Sequence, residues 1–276
     1  MNKVQLNFFL GGADLEMVEI ARLLRDRRPG DPVYAVHSRP LPWGVGVSAY
    51  GNATREALAH GATPVLIELH NDLALPADRI IEIDHHGDRA GAGRPTSIEQ
   101  VFALLGRPPE QWTRRLALVA ANDRGYIPGL IATGATPNEI VAIRAEDRAA
   151  QGITTAEEEE AARAVAAREQ LGGGAITVVT LAHDRFAAVS DRLHRGLGGP
   201  GYAALLTLGA GEAQYDGSGA AIARLSGAVP GSWHGGALPE RGFWGCRYAS
   251  LGVADAAAAR CRLLPLLLPG GPADPG

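Results

Sequence analysis

Short apolar runs alternate with helically spaced apolar residues through the first half of the chain, and this alternation constrains the fold most. Residues 4–10 are apolar and bounded by Gly11-Gly12, the pattern of a buried strand. Residues 33–36, 65–69, 80–83 and 116–121 read as four further strands. Between them Leu15, Val18, Leu23 and Leu24 recur at helical spacing. Residues 54–60 form a helix ended by Gly61, and residues 97–105 form another. Strand and helix in turn give an α/β fold with a doubly wound, mostly parallel five-stranded sheet. In such sheets ligands bind outside the carboxyl ends of the strands, where the winding direction reverses.

The pattern breaks near residue 150. Thr155-Ala156-Glu157-Glu158 has the form of a capping box, and it opens a helix expected to run to about Leu171. Gly172-Gly173-Gly174 ends it. The expected division is a first domain over residues 1–150, a linking helix over 151–174 and a smaller α/β domain over 175–268. Within the last, residues 175–181 and 203–208 read as strands, 218–228 as a helix and 230–245 as loop-rich. The tail at 269–276 reads as disordered.

Composition narrows the partners. Net charge is −4, so no global field attracts nucleic acid, and a long duplex is not expected as a partner. The longest apolar run, near residues 263–268, is interrupted by Pro265 and too short to span a bilayer. The two cysteines, Cys246 and Cys261, fit a reducing compartment better than a disulfide framework. With no apolar leader near Met1, the expectation is a soluble cytoplasmic protein away from membranes, with a homodimer among the assemblies allowed.

The polar residues that follow the strands carry the chemistry. Asp14 and Glu16 follow the first, His37 ends the second, and Glu68 ends the third with His70 two residues on. The fourth delivers Asp84, His85 and His86; after residues 116–121 comes Asp123. Any one of these has an ordinary explanation, and Asp14 fits a helix cap. Together they bring carboxylates and imidazoles to one sheet edge, where carboxylates repel unless a cation neutralises them. Oxygen with imidazole suits Mn²⁺, Mg²⁺, Fe or Zn²⁺. Two ions ~3.5–4 Å apart form a clamp for phosphoryl displacement. On this reading Asp84 binds or bridges metal, one histidine is a ligand, and the other faces substrate.

Asp84-His85-His86 after a strand, with acids before and after it, resembles the signature of the DHH phosphoesterases. That family includes RecJ-type exonucleases, nano-RNases, cyclic dinucleotide phosphodiesterases and family II pyrophosphatases. The resemblance covers roughly residues 4–130. It implies two Mn²⁺ or similar ions held by Asp14, Glu16, Glu68, Asp84, His85 and Asp123, and hydrolysis of a phosphoester by metal-activated water. Asp84, His85 and His86 are then the catalytic set. The family's first motif has the form His-x-Asp-x-Asp; here it reads Gly12-Ala13-Asp14-Leu15-Glu16. Gly12 replaces the histidine and Glu16 the second acid, leaving His37 or His70 to fill the gap, or one metal weak or absent. The second half more faintly resembles the DHHA1 domain, whose Gly-Gly-Gly-His loop cradles phosphate. Here His234-Gly235-Gly236 has those ingredients in another order, with Arg241 and Arg247 nearby. His86, Arg124, His234, Gly235, Gly236 and Arg241 are the expected substrate contacts, and Trp233, Phe243 and Trp244 are available to stack a base or fill a core. The expected substrate is a nucleotide, short oligonucleotide or other small phosphate ester. The alternative is a degenerate DHH-like protein that binds such a ligand without turnover. A metal-free nucleotide-binding fold is weaker, because no Gly-x-Gly-x-x-Gly follows the first strand.

Overall fold

A computed structural model describes residues 5–86, 94–236 and 238–268. The tail after residue 268, expected to be disordered, lies outside them, as does the stretch that follows His86. The chain divides into two compact units, Met1–Gly152 and Ile153–Gly276.

The first unit is built on a parallel sheet of β1 (Gln5–Leu10), β2 (Val33–His37), β3 (Thr63–Ile67) and β4 (Ile81–Ile83), in the order β2-β1-β3-β4. Alternate residues of β1 and β3 face opposite sides. Phe9 and Leu66 pack with Val47, Tyr50 and Ala57 under α2 (Gly51–Ala59). The opposite face lies under α1 (Leu15–Arg25) and its neighbours α3 (Ser97–Leu104), α4 (Arg114–Ala132) and α5 (Pro137–Ala150). Winding reverses between β1 and β3, so residues just beyond β1, β3 and β4 meet at the position where α/β sheets bind ligands.

One predicted strand is a helix. Residues 116–121 lie in α4, opened by Thr113, whose hydroxyl accepts the Leu116 N–H at 3.3 Å. Leu116, Leu118, Val119, Ala120 and Ala121 are all buried. A short apolar run buried on every side reads alike as strand or helix, and here the helix is the longer element into which it fits. The sheet therefore has four strands, and Asp123 arrives on a helix. The helical path breaks directly afterwards, at Gly125 and at Tyr126 with φ +57°.

The second unit opens with α6 (Thr155–Ala166), which ends before the predicted Leu171 because β5 (Glu169–Leu171) pairs with β6 (Ile176–Thr180). Its cap is Thr154 with Glu157, one residue earlier than the sequence suggested. The mixed sheet runs β5-β6-β7-β8-β10-β9, with β7 (Leu205–Leu208), β8 (Glu212–Ser218), β9 (Trp233–Gly235) and β10 (Arg241–Arg247). Helices α6 and α7 (Ala187–Leu193) pack with Val179 and Leu205 on one side. Helix α8 (Gly219–Ala228), a short α9 (Tyr248–Leu251) and α10 (Ala256–Leu267) cover Leu206, Tyr215 and Trp244 on the other. The region read as loop is thus largely a hairpin, in which Trp244 and Cys246 turn into the core. No described helix is long and apolar enough to cross a membrane.

Candidate metal centre

Five short segments converge at the carboxyl end of the first sheet. Asp14 caps α1, its Oδ1 accepting the Met17 N–H at 2.8 Å. Glu16, in the first turn, is buried, and its Oε1 accepts the Ile98 N–H at the start of α3 at 2.9 Å. Glu68 follows β3 in a left-handed conformation, φ +52°. Its Oε1 accepts the Ser97 hydroxyl at 2.8 Å. Gly11 passes so close that a Cβ there would stand 2.5 Å from the Glu68 carbonyl oxygen. His85 and His86 follow β4, and Asp123 sits in the last regular turn of α4 before its break.

Glu68, His85, His86 and Asp123 each offer a ligand atom within 4.8 Å of the others. His85 Nε2 contacts Asp123 Oδ2 and lies 3.6 Å from Glu68 Oε1 and 3.7 Å from Glu16 Oε2. His86 Nδ1 is 3.6 Å from Glu68 Oε1, and its side chain is 45% exposed where that of His85 is 9%. One imidazole therefore sits inside and the other at the mouth.

Charge is unbalanced inside. Burial, then Asp123 and Glu16, push the Asp14 carboxyl well above the usual range. Burial and Asp123 raise Glu16, against the opposing pull of His85 and the Ile98 N–H. Burial, then Glu16, Asp123 and Asp14, raise Glu68 well above its ordinary value. Burial alone would lower His85, but the carboxylates of Asp123 and Glu16 prevail and hold it up at about 11. One imidazolium cannot neutralise four acids. Among the described residues Glu16 Oε2 and Glu68 Oε2 are buried without a hydrogen-bond partner, a costly state for a carboxylate. A divalent cation would supply the missing charge, and an oxygen and imidazole donor set fits Mn²⁺, Mg²⁺ or Zn²⁺.

Other expected ligands lie elsewhere. Asp84 is at the rim, its Oδ1 accepting the His86 N–H at 2.9 Å and standing 3.3 Å from His86 Nδ1. This is a turn at the strand end, which sets Asp84 beside the four-residue donor group of Glu68, His85, His86 and Asp123. Neither His37 nor His70 fills the place of the histidine missing at Gly12. His37 stacks on Phe9 (4.5 Å between centroids) in the apolar layer beneath α2, and burial there lowers its pKa. His70 is exposed, its backbone paired with residues 45–47.

Among the expected substrate contacts, Arg124 is ion-paired with Glu99. In the second unit His234 is exposed, 3.3 Å from Ser226 Oγ. Gly235 and Gly236 have packing reasons of their own, since a Cβ would stand 2.8 Å from the Phe243 ring and from Gly242 respectively. Arg241 donates to the Ala203 carbonyl at 2.8 Å. Trp244 is fully buried, whereas Trp233 and Phe243 are partly exposed.

Sequence reading missed the groups that hold this centre together. Ser97 orients Glu68. On α5, the buried pair Arg144 and Asp147 (2.8 Å) ties two donor segments: Asp147 Oδ1 accepts the Leu15 N–H at 3.2 Å, and Arg144 donates to Asn122 Oδ1 at 2.8 Å. Arg144 also lies 4.1 Å over the Tyr126 ring, at the break in α4. Their i,i+3 spacing shows in the sequence, but their targets do not.

No family model and no curated protein matches the chain. Among solved structures it is similar to RecJ in complex with Mn²⁺ from Thermus thermophilus, at 16% identity and TM-score 0.42 over 93% of this chain. The chain spans about half, 52%, of that RecJ. It is also similar to the pGpG-specific phosphodiesterase PggH from Vibrio cholerae, at 9% identity and TM-score 0.40 over 96% of this chain and 99% of that one. A third likeness is exonuclease RecJ bound to manganese, at 14% identity and TM-score 0.35, covering 93% and 90%.

Proposed function

We propose that the chain is a divalent-metal-dependent phosphoesterase acting on a small phosphate ester, with Mn²⁺ its expected ion. What carries this is the donor group of Glu68, His85, His86 and Asp123 with buried Glu16 beside it: Glu16 Oε2 and Glu68 Oε2 have no hydrogen-bond partner, and the excess negative charge calls for a cation. When bound there, a divalent ion polarises a phosphate oxygen and lowers the pKa of water. Glu68, His85 and Asp123 would hold it, with Glu16 beside them and His86 completing the set at the mouth. His86, half exposed, is placed to hydrogen-bond a phosphate oxygen. A cavity of about 460 Å³, lined by Asn71, Glu82, Arg94, Gln100 and the Asp84 that meets His86, is large enough for the rest of a small ester. In the second unit His234, Gly235, Gly236 and Arg241 are the proposed share of substrate binding, resting on the fainter DHHA1 resemblance alone.

The test is Mn²⁺ binding by calorimetry, with turnover of bis-para-nitrophenyl phosphate, pGpG and GMP. Wild-type protein should bind Mn²⁺ and hydrolyse at least one of these. Asp123→Asn and Glu68→Gln should each lower turnover more than about 100-fold, beyond the usual effect of outer partners of a metal site. A protein that binds no divalent ion sinks the reading. Gly12, which withholds a donor from the first motif, favours one alternative: Mn²⁺ and nucleotide binding without turnover would mark a ligand-binding protein on the same scaffold.

A further inference from the structure

The loop after β2 carries Trp43, which the sequence reading passed over. Its indole is 51% exposed, yet it is held on two sides. One face lies on Gly12, where a Cβ would stand 3.1 Å from Trp43 Cζ3 and 3.4 Å from Cε3 and Cη2. Gly12 is buried at φ +74°, a conformation other residues rarely take, so the seat under the indole is built for glycine. The ring also meets His86, with centroids 5.9 Å apart and planes at 67°. His86 in turn belongs to the donor group.

The loop is tethered as well. Val47 donates to the His70 carbonyl at 2.8 Å, His70 donates to the Val45 carbonyl at 3.2 Å, and the Ser48 N–H donates to Asp72 Oδ1 at 2.9 Å. Trp43 is thus presented from a fixed point at the mouth of the site, with part of its ring facing solvent. The cluster recognises only the phosphate of an ester. Whatever else the ester carries must be recognised by the surfaces around it, and here one of these is an indole. Stacking on an aromatic ring suits any planar group and tolerates different bases.

From this placement we infer that Trp43 is a substrate-binding residue that stacks a planar aromatic group, a nucleobase or an aryl ring, of the phosphate ester held at the metal cluster. This rests on the phosphoesterase reading. The competing role, an inert cover over Gly12 and His86, predicts that shortening the side chain weakens every phosphate ligand alike.

The test is calorimetry of the Mn²⁺-loaded protein with two probes, GMP and ribose 5-phosphate, which differ by the base. Wild-type protein should bind GMP about tenfold or more tightly than ribose 5-phosphate. Trp43→Ala should abolish that preference, its loss falling on GMP, while Trp43→Phe should keep most of it. Mn²⁺ affinity, measured in parallel, should be the same in all three proteins. Equal wild-type affinities for the two probes, or a Trp43→Ala variant that retains the preference or weakens both probes equally, would overturn the stacking role and leave the phosphoesterase reading standing. Failure of wild-type protein to bind Mn²⁺ removes both.

Discussion

Glu68 holds its carboxylate in the cluster from a left-handed backbone that costs on the order of 1 kcal/mol for a residue with a Cβ. It also carries an acid whose ionisation burial opposes. Glu68→Gly relieves both. In differential scanning fluorimetry its metal-free melting temperature should therefore equal or exceed that of wild type, while the rise that Mn²⁺ gives wild type should vanish. A variant that melts lower without metal would show that the Ser97 hydrogen bond outweighs the strain. Asp216, on β8, offers a second measurement. Burial raises its carboxyl to about 6, with Gln214 and Arg241 opposing. The folded state then holds its proton over a range in which the unfolded chain has lost it, so stability falls as pH rises from about 4 to about 6 and levels off above. Asp216→Asn should remove that component, roughly 1–3 kcal/mol. An unchanged slope across that window in chemical denaturation would place the carboxyl in better-solvated surroundings.

At the level of elements, the sequence disclosed what depends on local pattern and hid what depends on long-range contact. The strands at 5–10, 33–37, 63–67 and 81–83 were legible, because β-rich apolar runs bounded by glycine or turn residues have few other uses. Glu16, Glu68, His85 and Asp123 were legible as neighbours, since all follow or precede segments that the topology brings to one sheet edge. Asp123 does lie beside His85, but on a helix, because the apolar run before it has no period to tell strand from helix. Nothing local marks Arg144 and Asp147 as the link between the start of α1 and the end of α4. Removing one partner would leave the other charge buried, at about 3–5 kcal/mol, whereas an apolar pair of similar size can be nearly neutral. The double variant Arg144→Met with Asp147→Leu should therefore fold with wild-type helix content by circular dichroism. Its Mn²⁺ affinity should drop about 10–100-fold, the usual effect of losing groups that orient ligands. Wild-type affinity in that variant would reduce the pair to packing.

Across the whole chain the division near residue 152 gives each unit its own core and its own sheet. Calorimetric melting should depart from a single two-state transition. Mn²⁺ should raise the transition of the first unit, by ~2.7 kcal/mol at a hundredfold excess over Kd, and leave that of the second in place. One shared transition, shifted as a block, would contradict this. The placement of the donors also bears on how the protein is made. Glu16, Glu68, His85, His86 and Asp123 all precede residue 152, and N-terminal domains generally fold first during synthesis. Every candidate ligand will have left the ribosome before translation of the second unit is complete. A nascent chain stalled with its first unit just clear of the exit tunnel should already capture manganese.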